Sequence, residues 1–275
     1  MKKTWYAYPY TVWLSIFIVV PLLLIIYYAF TVTTDEGLKF TLDNITRLYD
    51  PIYLKVFLRS VWLALISTIA CLLIGYPVAL ILASKEYRKK RVLALLFVIP
   101  MWINFLVRTY AWMTLLEKNS VINVILDFLC LPHLNILYTD QAVVLGMVYN
   151  FLPFMVLPIY SVLVKLDKNI IEAAEDLGAN YLTILKKIII PLSLPGVMSG
   201  ITMVFMPAIT TFVISRLLGG GHYTLIGNLI EQQFIFTGDW NFGSALSFVL
   251  MILILISMLI TRKYDKDYEG GGAIW

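Results

Sequence analysis

Charge is what this chain has least of. Asp, Glu, Lys and Arg make up 14% of its 275 residues, against about 25% in soluble globular proteins. With 60% of the residues apolar or aromatic, a soluble fold would expose far more apolar surface than it could hide, which excludes a soluble enzyme. The two cysteines and two histidines leave little room for thiol or metal chemistry. Cys71 falls in the middle of an apolar run and Cys130 in a segment outside such runs, so their depths make a disulfide between them unexpected. His133 and His222 stand apart without metal-ligand spacing. A phosphate-cradling G-x-x-x-x-G-K-S/T loop is also missing. The run Gly219, Gly220, Gly221 has neither the lysine nor a preceding strand and reads as a turn. No metal and no cofactor are therefore expected on this chain, and energy for any work must come from a partner or a gradient.

What is present is a series of long apolar runs. A spanning helix needs about 20 mainly apolar residues to cross a hydrocarbon core about 30 Å thick. Six segments qualify: Tyr10 to Phe30, Ser60 to Ala83, Val92 to Leu116, Gln141 to Leu166, Leu192 to Ser215 and Gly243 to Thr261. The fold class is thus all-α, one polytopic membrane domain over residues 1–275 with six transmembrane helices. Lys2 and Lys3 before the first run resemble a secretory signal, but its length and the lack of a small-residue cleavage site favour a retained span.

Orientation follows from the cations, which are held back on the cytoplasmic side. With both termini inside, the inner segments carry 14 of the 21 Lys and Arg, with clusters at Lys85 to Arg91, Lys165 to Lys187 and Arg262 to Lys266. Six are outside, and Arg108 alone lies within a span. The net charge of +4 is a topology signal. No basic face with interleaved aromatics suggests nucleic acid.

Proline is frequent within the spans. Pro153 and Pro158, beside Tyr149 and Asn150, look like an irregularity lining a path. Gly196 and Gly200 form a small-x-x-x-small pair that permits close helix approach. The outer segments 31–59, 117–140 and 216–242 read as interfacial or re-entrant helices around a vestibule, with Leu225, Ile226, Leu229, Ile230 and Phe234 as one apolar stripe.

The inner segment 165–191 carries the most information. Asp167 is a plausible N-cap, Gly178 can end the helix in the left-handed conformation, and Asn180 can cap a second helix from Tyr181 to Ile190, closed by Pro191. Lys186 and Lys187 would then sit near that helix's negative pole. Glu172-Ala173-Ala174, Gly178, Ile188, Ile190 and Pro191 match the EAA pattern E-A-A-x3-G-x9-I-x-L-P, with Ile190 in place of leucine. On these residues the chain resembles the permease subunits of binding-protein-dependent ABC importers, of the type I fold. Phe40 to Asn44, Leu152 to Pro158, Leu166 to Lys168, Leu225 to Asn228 and Asp239 to Gly243 are similar to the spermidine/putrescine branch of that family.

The resemblance implies a permease that couples closure of partner ATPases to alternating access in a bacterial inner membrane, with both termini cytoplasmic. Glu172, Ala173, Ala174, Gly178, Ile188 and Pro191 would dock on one ATPase. The implied partners are a second homologous permease subunit, two ATPase subunits that bind the ATP and Mg, an extracytoplasmic substrate-binding protein, the polyamine cargo and membrane lipid. A polycation needs carboxylates and aromatic faces, so the candidate pathway residues are Glu231, Asp239 and Trp240 at the outer mouth, with Tyr149, Trp102 and Phe154 deeper. Asp239 could equally cap the sixth span, and Arg108 reads as a structural anchor. Other small solutes, such as phosphonate, thiamine or iron, remain open. A gradient-driven carrier would need an intramembrane acid, and every Asp and Glu falls in a loop or at a span's edge.

Overall fold

The computed structural model describes residues 8–34, 37–84, 97, 99–221 and 224–269. Lys2, Lys3, the cations at 85–91, residues 92–96 of the expected third span and His222 lie outside the described residues.

The first helix, α1 (Tyr8–Ala29), contains a π turn at Ser15–Val19 just ahead of Pro21. A proline has no N–H to donate and its ring crowds the preceding turn, so a locally wider turn accommodates it. The chain then turns through an antiparallel hairpin, β1 (Thr31–Thr34) with β2 (Gly37–Phe40), Thr31 opposite Phe40. This corrects the expectation of interfacial helix there. Asn44 fastens the hairpin to the end of α1, its Nδ2 donating to Ala29 O at 3.2 Å and Thr31 O at 3.0 Å.

Helix α2 (Pro51–Ala83) opens well before Ser60 because Asp50 caps it, accepting from Ile52 N at 3.0 Å, and Pro51 suits the first turn. Its 33 residues make about 50 Å of helix, longer than a hydrocarbon core of about 30 Å. The excess carries Lys55 and Arg59. Of the third expected span, a helical turn at 99–102 is followed by a bend at Ile103 and Asn104 and then α3 (Phe105–Leu116), where Asn104 accepts from Leu106 N at 2.8 Å. Helix α4 (Val121–Phe128) follows.

Helix α5 (Asp140–Leu163) runs through both Pro153 and Pro158 without interruption, so the expected irregularity is not a break. After the short α6 (Lys168–Asp176) comes α7 (Tyr181–Thr210). The fifth span is therefore longer than expected at its start and ends earlier, at Thr210. A bend at Thr211 and Phe212 leads to α8 (Val213–Leu218), then α9 (Ile226–Glu231) with a π turn at Gln232–Thr237, and α10 (Trp240–Glu269). Asn228 holds this region together, its Nδ2 donating to Phe212 O at 2.9 Å and its Oδ1 accepting from Leu225 N.

The core lies where α2, α5 and α7 meet. Cys71, Met147, Met155, Ile159 and Val204 are fully buried there. Gly196 and Gly200 make that approach possible: a Cβ on Gly196 would lie 2.9 Å from Pro158 O, and one on Gly200 3.1 Å from Met155 O. Among the described residues, five helices (α1, α2, α5, α7 and α10) are long and apolar enough to cross a membrane. Both cysteines are free thiols.

Candidate functional site: a capped helical turn and a half-open cavity

The turn between α5 and α7 is built by three local devices. Asp167 Oδ1 accepts from Asn169 N at 3.0 Å and starts α6. Gly178, at φ +80°, ends it: Gly178 N donates to Glu175 O at 2.9 Å and Ala179 N to Ala174 O at 3.0 Å, the paired bonds of a Schellman motif. Asn180 Oδ1 then accepts from Thr183 N at 2.9 Å and starts α7. All three capping residues were legible in the sequence.

The end of the second helix was not. Pro191 does not close it; the chain passes through a π turn at Leu185–Ile189 into Ile190 and Pro191 and continues to Thr210. Lys186 and Lys187 accordingly lie in the early turns of a long helix and not at a C-terminal pole. The helix that starts at Tyr181 in the turn and the span are one hydrogen-bonded rod of 30 residues, about 45 Å long.

No residue of α6 is buried. Glu172, Ala173, Gly178 and Pro191 are exposed, whereas Ala174 and Ile188 are half-buried. Leu177, Tyr181 and Leu182 are also exposed, Leu177 by 88%. They form an apolar rim around the small residues that sequence reasoning did not single out. Apolar residues flanking a helix-ending glycine were the available signal. The surface offers small and apolar contacts bordered by Glu175 and Asp176, a shape suited to insertion in a partner's groove.

A cavity of about 550 Å³ lies between α3, α5 and α7, lined by Phe105, Arg108, Asn150, Phe154 and Met203 among others. Of the expected pathway residues, Phe154 lines it, while Tyr149 packs edge-on against Trp112 at 5.2 Å and Trp102 is 83% exposed on the turn before α3.

The mouth residues lie elsewhere and are already engaged. Asp239 pairs with Arg47 at 2.8 Å and accepts from Phe242 N at 3.0 Å, so it caps the first turn of α10. Arg47 also stacks over the Phe242 ring at 4.1 Å. Its pKa is raised: partial burial pulls it down, but hydrogen bonds to Asp239 and Tyr53 outweigh that. Glu231 pairs with Arg216. Trp240 packs against Phe234 at 5.4 Å and remains half exposed. The twelve sequence-derived site residues thus fall in separate places, and no signal in the sequence links Arg47 to Asp239.

Residues 72–269 match the family of binding-protein-dependent transport system inner membrane components. The chain belongs to that family. It is 42% identical over 266 residues to the spermidine/putrescine transport system permease protein PotB of Escherichia coli (strain K12), covering 94% of this chain and 97% of that one. The PotB of Haemophilus influenzae is 37% identical, covering 92% and 91%. A solved bacterial ABC transporter involved in the import of the acidic polysaccharide alginate has the same fold, with a TM-score of 0.78 at 14% identity over 95% of this chain and 96% of that one. This permease is a multi-pass membrane protein with the type I importer fold. Its Gly196 and Gly200, its short α8 and α9 and its protruding α6 all lie within the matched residues.

Proposed function

We propose that this permease is one of two homologous transmembrane subunits of an ATP-driven polyamine importer, both termini cytoplasmic, fed by an extracytoplasmic binding protein and driven by two ATPase subunits that hold ATP and Mg. The observation that carries the mechanical part is the exposed, doubly capped α6 turn, whose second arm is the uninterrupted start of α7. An ATPase groove that grips Glu172, Ala173, Ala174 and Gly178 moves α7 as a rod, and through Gly196 and Gly200 moves α5 with it, so closure of the ATPases rocks the bundle. The positive-inside distribution of Lys and Arg supports a cytoplasmic position for this turn.

Spermidine and putrescine as cargo are supported by identity to PotB over nearly the full chain. The aromatic members of the expected pathway, Trp102, Tyr149, Phe154 and Trp240, are retained as cargo contacts, since ring faces attract ammonium groups. The carboxylates Asp239 and Glu231 are each neutralised by an arginine and serve to hold the mouth in shape. Radiolabelled polyamine uptake into proteoliposomes containing the whole complex and its binding protein tests the reading. ATP-dependent uptake of spermidine or putrescine is expected; a complex that hydrolyses ATP yet takes up neither would move the cargo to another solute.

A further inference from the structure

The short helix α4 turns its apolar side outward. Val121, Val124, Ile125 and Phe128 recur at i, i+3, i+4 and i+7 and therefore share one face. All four are exposed, Phe128 by 88%, and Leu129 and Leu131 just beyond the helix are exposed as well. The opposite face is polar and fastened to the body. Asn123 is 2% exposed; its Nδ2 donates to Glu117 O and Lys118 O, both at 3.1 Å, and its Oδ1 accepts from Leu134 N at 2.7 Å. One turn further along, Asp127 is hydrogen-bonded to His133 at 2.5 Å. Rolling α4 over to bury its stripe would leave the amide of Asn123 and the backbone groups it serves unpaired. The apolar face is thus held outward by the bonds of the polar one.

We infer that α4 is an interfacial anchor lying in the plane of the membrane, on the side away from α6, with Val121, Val124, Ile125 and Phe128 set into the acyl boundary. Depth is the first ground. Only residues 117–120 separate Val121 from the end of α3 at Leu116, so α4 starts within about 17 Å of that end, and the turn from Ser120 N to Glu117 O, 3.1 Å, shortens the distance. The chain then returns to the start of α5 at Asp140, a helix long and apolar enough to cross the membrane. With eight residues, about 12 Å, α4 itself is too short to cross a core of about 30 Å. Permanence is the second ground. Surfaces that meet a partner only transiently are about as apolar as protein surface in general, and such a partner would leave this stripe wet between encounters. Lipid covers it continuously, as it covers the spans on either side. Anchored in this way, α4 holds the neighbouring ends of α3 and α5 at one depth while α7 is driven past them.

The test reads depth in the whole complex in liposomes, with neither cargo nor ATP. Val121→Cys, Val124→Cys, Ile125→Cys, Asp127→Cys and Phe128→Cys are made singly in a Cys130→Ser background, where the remaining Cys71 is buried, and each carries a nitroxide. Collisions with membrane-dissolved oxygen should exceed those with an aqueous nickel chelate several-fold at the four stripe positions, and the ratio should reverse at Asp127. Adding Phe128→Asp should shift the labels at 121, 124 and 125 toward the chelate, whereas Phe128→Trp should leave them in lipid. Stripe labels that meet the chelate more often than oxygen overturn the proposal; if the loaded binding protein then shields them, the stripe is that protein's docking surface. Labels shielded from both reagents overturn it equally and assign the stripe to the second permease. Because no transport is measured, failed polyamine uptake leaves the anchor standing.

Discussion

Gly196 and Gly200 do at single-residue scale what the bundle's mechanism requires: they let α7 lie directly on the backbone of α5. A Cβ on Gly196 would meet Pro158 O at 2.9 Å and Ile159 Cα at 3.1 Å, backbone atoms that cannot swing aside. Gly196→Val should therefore destabilise the helix pair by about 1–3 kcal/mol, as overpacking does elsewhere. A thermal scan of the detergent-solubilised complex checks this, and an unshifted midpoint would show that α5 and α7 do not pack as described. Asp239 illustrates the opposite case, a residue whose environment changes its reading. It caps α10 and pairs with Arg47, and both groups are about a third or more exposed, so the pair contributes about 0–1 kcal/mol. Asparagine caps helices about as well as aspartate. Asp239→Asn should accordingly keep polyamine uptake within about twofold of wild type; a large drop in uptake at matched expression would return Asp239 to the cargo pathway.

At the scale of elements, α6 is a short protruding helix and the first turns of α7 are continuous with a span. That continuity depends on the π turn at Leu185–Ile189, which carries the chain past Pro191 without ending the helix. Gly178 is the counterpart at the other end, where the turn must reverse direction. Nothing lies within 4 Å of a Cβ at Gly178, but its φ of +80° is a conformation that L side chains resist, at a cost of about 1–2 kcal/mol. Gly178→Val should leave the spans inserted while distorting the α6 surface, with loss of ATP-driven uptake and of ATPase co-purification. Gly178→Asn should retain part of both, because asparagine tolerates the left-handed region. Normal transport by Gly178→Val with unchanged ATPase content would remove this turn from the coupling step.

For the molecule as a whole, the balance of parts is that of a conduit moved by others. The sequence contains no phosphate-binding loop, so this permease purified alone should hydrolyse ATP no faster than a mock preparation, and the complete complex should hydrolyse it with stimulation by the loaded binding protein. Turnover by the isolated chain clearly above the mock would contradict the division of labour. The start of α2, the hairpin Thr31–Phe40 and the short α8 and α9 gather at the end of the bundle opposite α6. That arrangement separates the elaborated end of the bundle from the protruding turn, as the proposed division between cargo entry and ATPase docking requires.

Several features of this protein follow from residues near one another in the chain. Apolar runs long enough to span, the N-caps at Asp167 and Asn180 and the left-handed stop at Gly178 depend on period, capping and backbone sterics, which a sequence displays directly. Gly196 and Gly200 announced close packing, though not against which helix. Pro191 misled, because a proline closes a helix only if the preceding turn cannot widen, and that choice is made by the span that follows. The pairing of Arg47 with Asp239, 192 residues apart, the engagement of Glu231 by Arg216, and the meeting of Arg108 and Asn150 in one cavity were decided by tertiary structure alone. Whether a charge attracts cargo or merely holds a loop depends on which opposite charge the fold brings beside it, and Coulomb energy is set by distance in space rather than separation along the chain.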